Sequence, residues 1–216
     1  MNVATDESYN PEALIGLTGG DSEVAAPVDV GALCPMVGWA CEPLVHEMVF
    51  SMVLWESTLE NAVRAMERVQ EQFVDYNELR VCFPKEIEAM LGSRYPRAED
   101  RSVRLIGALR RVFADHQKLS LAHLREMNKR DAREYLDSFE MLPRFVISRV
   151  MLLGLDAHAF PIDAKITRAL HKAKLIKGSK NPDTVSSTLE RAIRANQTLE
   201  TYTRLERWLV AFETGS

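Results

Sequence analysis

The sequence predicts an all-α protein of about nine or ten helices, and two observations support this prediction. From Val45 onward, apolar residues recur at spacings of three and four over most of the chain, which is the period of an amphipathic helix. Alternation with a period of two, which marks a half-buried strand, is not sustained anywhere. The composition agrees with a globular chain, since 46% of the 216 residues are hydrophobic and 27% are charged.

The helices can be assigned in chain order. Residues 1–40 show no sustained period, so we expect an acidic, weakly ordered segment there. A helical stripe runs from Val45 to Val69, and Pro84 and Gly92 suit the start and the end of a short helix. Further helices are expected at residues 102–113, 120–124, 128–139, 183–195 and 198–212, with Ser120 and Asn128 as N-cap residues.

Cysteine usage and hydropathy limit where this chain functions. The three cysteines, Cys34, Cys41 and Cys82, form no even disulfide set, which predicts a reducing, cytoplasmic or nucleoid-associated location. No apolar run is long enough to span a bilayer, so we expect no membrane partner. The first twenty residues lack the pattern of a secretory signal.

The net charge of −4 conceals a strong asymmetry along the chain. Ten acidic residues and no Lys or Arg precede Arg64, whereas eight cations and two anions lie between Met141 and Lys180. A local cationic surplus attracts phosphates even when the whole protein is acidic. The plainer interpretation of these cations is a solvated, lysine-rich helix face.

The residues best suited to chemistry concentrate between Met141 and Leu170, in the segment MLPRFVISRVMLLGLDAHAFPIDAKITRAL. The pattern predicts a tight turn, an apolar helix, a short loop and a second helix that Asp163 opens. A carboxylate at a helix start, followed by Lys165 and Arg168, indicates chemistry on a polyanion. The alternative is that Asp163 is only the N-cap residue of its helix.

The segment from Leu136 to Leu170 resembles the helix-hairpin-helix DNA glycosylase superfamily, whose members include endonuclease III and the adenine-specific mismatch glycosylase. Leu142-Pro143 matches the entry of the family's leucine-proline-glycine-valine-glycine hairpin. Phe160-Pro161-Ile162-Asp163 matches the approach to the family's aspartate, and Arg168 falls on its arginine. Upstream, FSMVLWEST at residues 50–58 resembles an early helix of the family, with Glu56 in the place of a glutamine.

The resemblance implies a two-lobed helix-hairpin-helix glycosylase-like fold with the active cleft between the lobes. We expect residues 41–216 to form this domain. Its central lobe would cover about residues 60–150, and its second lobe would combine residues 41–59 with residues 151–216.

The hairpin departs from the family pattern at three places. Arg144 and Val146 replace the two glycines, which let the backbone turn and approach a phosphate closely. Arg144 could contact a phosphate with its side chain instead, but Val146 tolerates a left-handed turn poorly. Counted from Pro143, Ser148 takes the place of the lysine nucleophile of bifunctional members. The adenine-specific glycosylase also carries serine at this place. Excision without strand cleavage is therefore the implied reaction.

The resemblance also implies a partner, double-stranded DNA that is damaged or abasic, and roles for individual residues in removing a damaged or mismatched base. Asp163 would stabilise positive charge on the sugar and orient or deprotonate a water. Glu56 would line the lesion pocket or donate a proton, and Ser148 completes the catalytic candidates. The family's iron–sulfur cluster needs four cysteines, so we expect no cofactor. The candidate DNA-binding residues are Pro143, Arg144, Phe145, Val146, Arg149, Lys165, Arg168 and Lys172.

Aromatic residues could stack against an extruded base or fill the gap that it leaves. Trp55, Phe139 and Phe160 are better explained as core residues, whereas Phe145 lies in the hairpin itself. His158, in the loop before Asp163, is either a substrate contact or an ordinary loop histidine.

Two other hypotheses remain open. The first is a catalytically inactive module of the same fold, which binds DNA structure or a protein partner; the lost glycines favour it and Asp163 opposes it. The second is an unrelated helical interaction protein, which would have no affinity for DNA at moderate salt.

Overall fold

A computed structural model describes residues 41–214. Within this range the protein consists of ten α-helices and contains no β-strand, which confirms the predicted all-α class. By their contacts, the described residues divide into two compact units, residues 41–157 and residues 158–214. Residues 1–40, for which the sequence predicts weak order, lie outside the described residues, and so does Cys34.

The first unit contains seven helices. They are α1 (Pro43–Leu54), α2 (Leu59–Gln72), α3 (Tyr76–Val81), α4 (Pro84–Leu91), α5 (Ala98–His116), α6 (Lys129–Asp137) and α7 (Arg144–Arg149). A 3-10 turn at Ala122–Arg125 precedes α6, and α7 continues into a π-helical turn at Val150–Gly154.

Several helices begin or end at residues that the sequence predicts for these positions. Asn128 caps α6 by accepting a hydrogen bond from the Asp131 amide at 3.0 Å. Pro84 is the first residue of α4, and Gly92 ends that helix with a φ of 90°. Ser120 accepts from the Ala122 amide at 3.2 Å, just before the 3-10 turn.

Helix α1 lies at the centre of the first unit. Its residues from Leu44 to Val53 are all buried, and the helix packs against α2, α5, α7 and the π-helical turn. A side chain at Gly154 would collide with Leu44, so the glycine lets the π-helical turn lie directly against α1. This packing holds the segment after the hairpin against the early helix of the chain.

The second unit contains α8 (Ala164–Lys172), α9 (Pro182–Ala192) and α10 (Ala195–Thr214). Helix α8 packs against α9 and α10. The ring of Phe160 meets that of Tyr202 edge-on, with 5.8 Å between centroids, and both side chains are buried. The loop that precedes α8 is thereby anchored in the core of this unit.

The structure adds detail that the apolar stripe does not contain. The stripe from Val45 to Val69 is two helices, α1 and α2, separated by a turn at residues 55–58. Helix α3 is an additional short helix. By contacts, α1 groups with the central helices, whereas the sequence-based lobes placed residues 41–59 with the C-terminal part. No described helix is both long enough and apolar enough to cross a membrane.

Candidate functional site

Asp163 is a buried carboxylate at the start of α8. Its side chain is 4% exposed, and Oδ1 accepts a hydrogen bond of 2.8 Å from the Ile166 amide. The backbone carbonyl of Asp163 accepts a second bond of 2.8 Å from the Thr167 hydroxyl. The capping role proposed from the sequence is thus present. A capped carboxylate has a fixed orientation, and the positive end of the helix dipole favours its charge.

The loop before Asp163 is fixed by its own unit. His158 places Nδ1 2.8 Å from the Thr198 hydroxyl and Nε2 2.7 Å from the Glu190 carbonyl oxygen. The Phe160 carbonyl accepts from the Ser186 hydroxyl at 2.7 Å. Both ring nitrogens of His158 are engaged within the protein, which favours the interpretation of an ordinary loop histidine over that of a substrate contact.

Helix α8 carries two exposed cations further along the helix from the capped carboxylate. Arg168 and Lys172 are both exposed and lie one helical turn apart on the same face. The Lys172 ammonium also lies 5.3 Å from the centre of the Phe212 ring. Lys165, in contrast, forms an ion pair with Glu213 and is partly buried. Arg168 and Lys172 are therefore better placed than Lys165 to meet a phosphate.

The hairpin turn is built without left-handed residues. Pro143 has φ −61° and ψ 144° and serves as the N-cap of α7, which begins at Arg144. The Val146 amide donates to the Pro143 carbonyl at 2.9 Å, so Val146 already belongs to the helix. No residue from 138 to 149 has a positive φ. The sequence suggested that Val146 would tolerate a left-handed turn poorly. Because Val146 lies within helix α7, it does not adopt a left-handed conformation.

The side chains of the hairpin differ in exposure. Phe145 and Val146 are buried, whereas Arg144 is half-buried. Trp55, Phe139 and Phe160, the other aromatic candidates for stacking, are buried as well. These four aromatic side chains therefore pack in the protein, and Arg144 is more exposed than Phe145 and Val146.

Arg149, a candidate DNA contact, is 1% exposed and occupies a polar cluster inside the first unit. Its Nε donates to Glu47 Oε1 at 3.2 Å and to the Ser51 hydroxyl at 3.0 Å. The Ser51 hydroxyl in turn donates to Glu47 Oε1 at 2.7 Å. Arg149 therefore presents almost no exposed surface to a DNA phosphate.

Ser148 precedes Arg149 and is also buried, with 1% of its surface exposed. Its hydroxyl has no hydrogen-bond partner in the part of the chain that the structure describes. Buried hydroxyls are usually paired, so this one has capacity for a water or a polar group of a ligand.

Glu56 follows α1 in a left-handed conformation, with a φ of 53°. Its Oε1 lies 3.0 Å from Nη1 of Arg97, and its side chain is 19% exposed. Arg97 stacks over the Trp55 ring at 4.2 Å. Glu56 is therefore an ion-paired residue near the surface of the first unit.

Sequence reasoning found some of these residues and missed others. Glu47 and Arg97 received no functional weight, because their partners lie 102 and 41 positions away along the chain. An acid within the largely apolar helix α1 was the available signal for Glu47. Among the described residues, no group of three or more His, Cys, Asp or Glu side chains could hold a metal ion. The chain has three cysteines, so its residues do not fit a four-cysteine cluster.

Comparison with solved structures shows the fold. The chain superposes on a trapped endonuclease III–DNA covalent intermediate with a TM-score of 0.63 and 11% identity, covering 92% of this chain and 82% of that one. It superposes equally well, with a TM-score of 0.63, on the 3-methyladenine DNA glycosylase MagIII of H. pylori bound to 1,N6-ethenoadenine. That match has 15% identity and covers 95% of this chain and 97% of MagIII. A thermostable thymine-DNA glycosylase gives a TM-score of 0.56 at 13% identity, covering 90% and 81% of the two chains.

A curated relative is similar in sequence over part of the chain. The DNA glycosylase/AP lyase ROS1 of Arabidopsis thaliana is 32% identical over 116 residues, which are 52% of this chain and 8% of that protein. No protein-family model matches the sequence. These similarities confirm the helix-hairpin-helix glycosylase resemblance at the level of the fold.

Proposed function

We propose that this chain, which has the helix-hairpin-helix DNA glycosylase fold, is a DNA glycosylase of the base-excision-repair type. It would hydrolyse the N-glycosidic bond of a damaged or mismatched base in double-stranded DNA. The observation that carries the proposal is Asp163, a buried and oriented carboxylate at the N-terminus of α8 within this fold.

In the proposed chemistry, the negative charge of the Asp163 carboxylate stabilises the transition state. Cleavage of an N-glycosidic bond builds positive charge on the sugar, and a carboxylate held nearby lowers the energy of that state. The same carboxylate can orient or deprotonate the attacking water. The helix cap supports this role. The Ile166 amide fixes Oδ1 of Asp163 before substrate binds, so the carboxylate reorganises little during the reaction.

The proposed DNA surface is cationic. Arg168 and Lys172 provide two exposed charges on one face of α8, and Lys174, Lys177 and Lys180 extend the exposed charge beyond the helix. In the first unit, considered by itself, Arg144 of the hairpin is a further candidate phosphate contact. Such side chains bind phosphates and position the duplex without reading its sequence.

Hydrolysis without strand cleavage is the reaction that we favour. No lysine lies between Leu142 and Leu155, and Ser148 stands where a bifunctional enzyme would carry an amine. Without an amine there, no Schiff base can form at that position to lead into β-elimination.

A catalytically inactive module remains the second candidate, and one observation favours it. Because α7 begins at Arg144, the hairpin has no left-handed residue that would bring backbone amides close to a phosphate. Such a protein would bind DNA without releasing a base.

The test is base release from end-labelled duplexes that each contain one damaged or mismatched base. We expect at least one duplex to be cleaved at the lesion after alkali, with its strands intact before alkali. Cleavage before alkali would contradict the monofunctional mechanism. Binding of the duplexes in fluorescence anisotropy, with no release from any of them, would favour the inactive module.

A further inference from the structure

Two left-handed residues from different loops meet at one surface of the first unit. Glu56 directly follows the C-cap of α1, and Arg97 directly precedes α5; each has a φ of 53°. Neither is glycine, so both backbones are held in a sparsely populated conformation. Strain of this kind persists where the surrounding structure enforces it, and it clusters at functional sites.

A buried clamp enforces this geometry. Arg101 is fully buried and donates to the carbonyl oxygens of Met52 and Trp55 at the end of α1. Its guanidinium also donates to the Pro96 carbonyl at 3.0 Å. The Tyr95 hydroxyl donates to the Val53 carbonyl at 2.7 Å. The clamp therefore joins the loop before α5 to the C-terminal end of α1.

Arg97 is presented on this clamp as a flat, oriented cation. Its guanidinium carbon lies 4.2 Å from the centre of the Trp55 ring, and Nη2 lies 2.7 Å from Asp100 Oδ2. Nη1 lies 3.0 Å from Glu56 Oε1, and 42% of the Arg97 side chain remains exposed. Arg104 lies against the same ring at 5.7 Å and pairs with Asp100 at 2.7 Å.

We propose that Arg97 contacts a DNA backbone phosphate and that Glu56 occupies its phosphate-facing nitrogen until DNA binds. This inference rests on the proposed DNA glycosylase function. A guanidinium held flat by an aromatic face suits bidentate binding of an anion, and a carboxylate resembles a phosphate in charge and hydrogen-bonding geometry. Asp100 and Trp55 keep Arg97 in place when Glu56 gives way.

The exchange has a measurable signature in salt dependence. In the wild type, one anion replaces another on Arg97, so this contact adds little net counterion release. In Glu56→Gln, Arg97 and Arg104 share the single carboxylate of Asp100, so this cluster meets the phosphate with one net positive charge. We expect affinity for duplex DNA to rise about threefold or more, and the log–log salt slope to steepen by about one unit.

The experiment is a double-mutant cycle measured by fluorescence anisotropy on an undamaged duplex and on a duplex with an abasic-site analogue. The variants are Glu56→Gln, Arg97→Gln and both together, each checked for folding by circular dichroism and thermal unfolding. Glu60→Gln is the matched control, because it removes one charge from an exposed ion pair with Arg64 on α2. The inference predicts that the gain in Glu56→Gln exceeds that in Glu60→Gln and disappears in the double variant.

The outcomes distinguish a failure of this inference from a failure of the proposed function. If the wild type binds DNA but Glu56→Gln behaves like Glu60→Gln, or keeps its gain without Arg97, the inference is overturned and the proposed function stands. If no variant binds DNA even at low salt, both are overturned. Should Arg97→Gln unfold, Arg97→Lys replaces it in the cycle, because lysine keeps the charge and loses the planar fork. In the Arg97→Lys background, Glu56→Gln should still steepen the salt slope, because lysine keeps the charge. Its gain in affinity should be smaller, because lysine lacks the planar fork.

Discussion

Arg149 and Glu47 form a buried ion pair across 102 positions of sequence, with Arg149 Nε 3.2 Å from Glu47 Oε1. The pair joins α7, the helix after the hairpin, to α1. Burying two charges costs solvation that their mutual attraction offsets only in good geometry. A pair of this kind is weak evidence for stability, and it suits a role in fixing how α7 lies against α1.

Breaking this pair should destabilise the fold strongly. Glu47→Gln removes the negative charge that faces the buried guanidinium of Arg149 and so breaks the buried ion pair. We expect a loss of about 3–5 kcal/mol in the free energy of unfolding, measured by urea titration. Glu60→Gln is the control, since its exposed pair with Arg64 should be worth about 1 kcal/mol or less. Equal losses in the two variants would contradict a structural role for the buried pair.

The cap at Asp163 should survive a substitution that removes its charge. Asparagine caps helices as well as aspartate does, so Asp163→Asn should unfold at nearly the wild-type denaturant concentration. Asp163→Ala removes the acceptor for the Ile166 amide and should cost about 0.5–2 kcal/mol. Chemical unfolding followed by circular dichroism measures both. A large loss in Asp163→Asn would mean that the charge itself supports the fold.

His46 should make the protein sensitive to acid. Burial lowers the pKa of its imidazole below the ordinary value, and Nδ1 lies 2.7 Å from the Tyr76 hydroxyl. The unfolded chain therefore takes up a proton first as the pH falls below about 6.5, and the folded state loses stability from there downward. Above that pH both states are neutral, so His46 adds no pH dependence.

Thermal unfolding between pH 5 and pH 8 tests this dependence. His46→Gln should show a smaller loss of unfolding temperature on the acid side than the wild type does. His123, whose pKa is also lowered by burial, contributes in the same direction and keeps part of the dependence in the variant. Identical acid-side slopes in wild type and His46→Gln would rule out the proposed contribution.

The cations of α8 should contribute affinity without specificity. Arg168→Gln and Lys172→Gln should each weaken binding to all duplexes alike and reduce the log–log salt slope by about one unit. Lys85→Gln, which removes an exposed charge from α4, serves as the control for net charge. A loss confined to the lesion-containing duplex would instead assign these residues to lesion recognition.

Local chemistry explains what could be predicted from the sequence. Helix starts and ends at Pro84, Gly92, Asn128 and Asp163 follow from residues within one turn of each boundary, so the printed sequence is sufficient for them. The break after α1 was missed because apolar residues continue at helical spacing through both α1 and α2. The turn between them depends on Arg101, whose contacts come from 46 and 49 positions away.

The candidate site shows the same division. Asp163 was identifiable because a proline, an apolar residue and a cap precede a cationic helix in one short segment. Arg149 was predicted as a DNA contact from its position beside the hairpin, and the structure buries it with Glu47 because helix α7 turns that face towards α1. Pairing of charges over long separations depends on packing, which periodicity does not encode.

Single-turnover base release by Asp163→Asn tests the central claim most directly. The substrate is the duplex that the wild type processes best, and Asp75→Asn is the matched control, since Asp75 is also an N-cap aspartate. We predict that Asp163→Asn loses at least about a hundredfold in rate, the scale of one electrostatic or acid–base contribution, while it folds and binds DNA like the wild type. Release at the wild-type rate by a folded Asp163→Asn variant would contradict the assignment of Asp163 as the essential carboxylate.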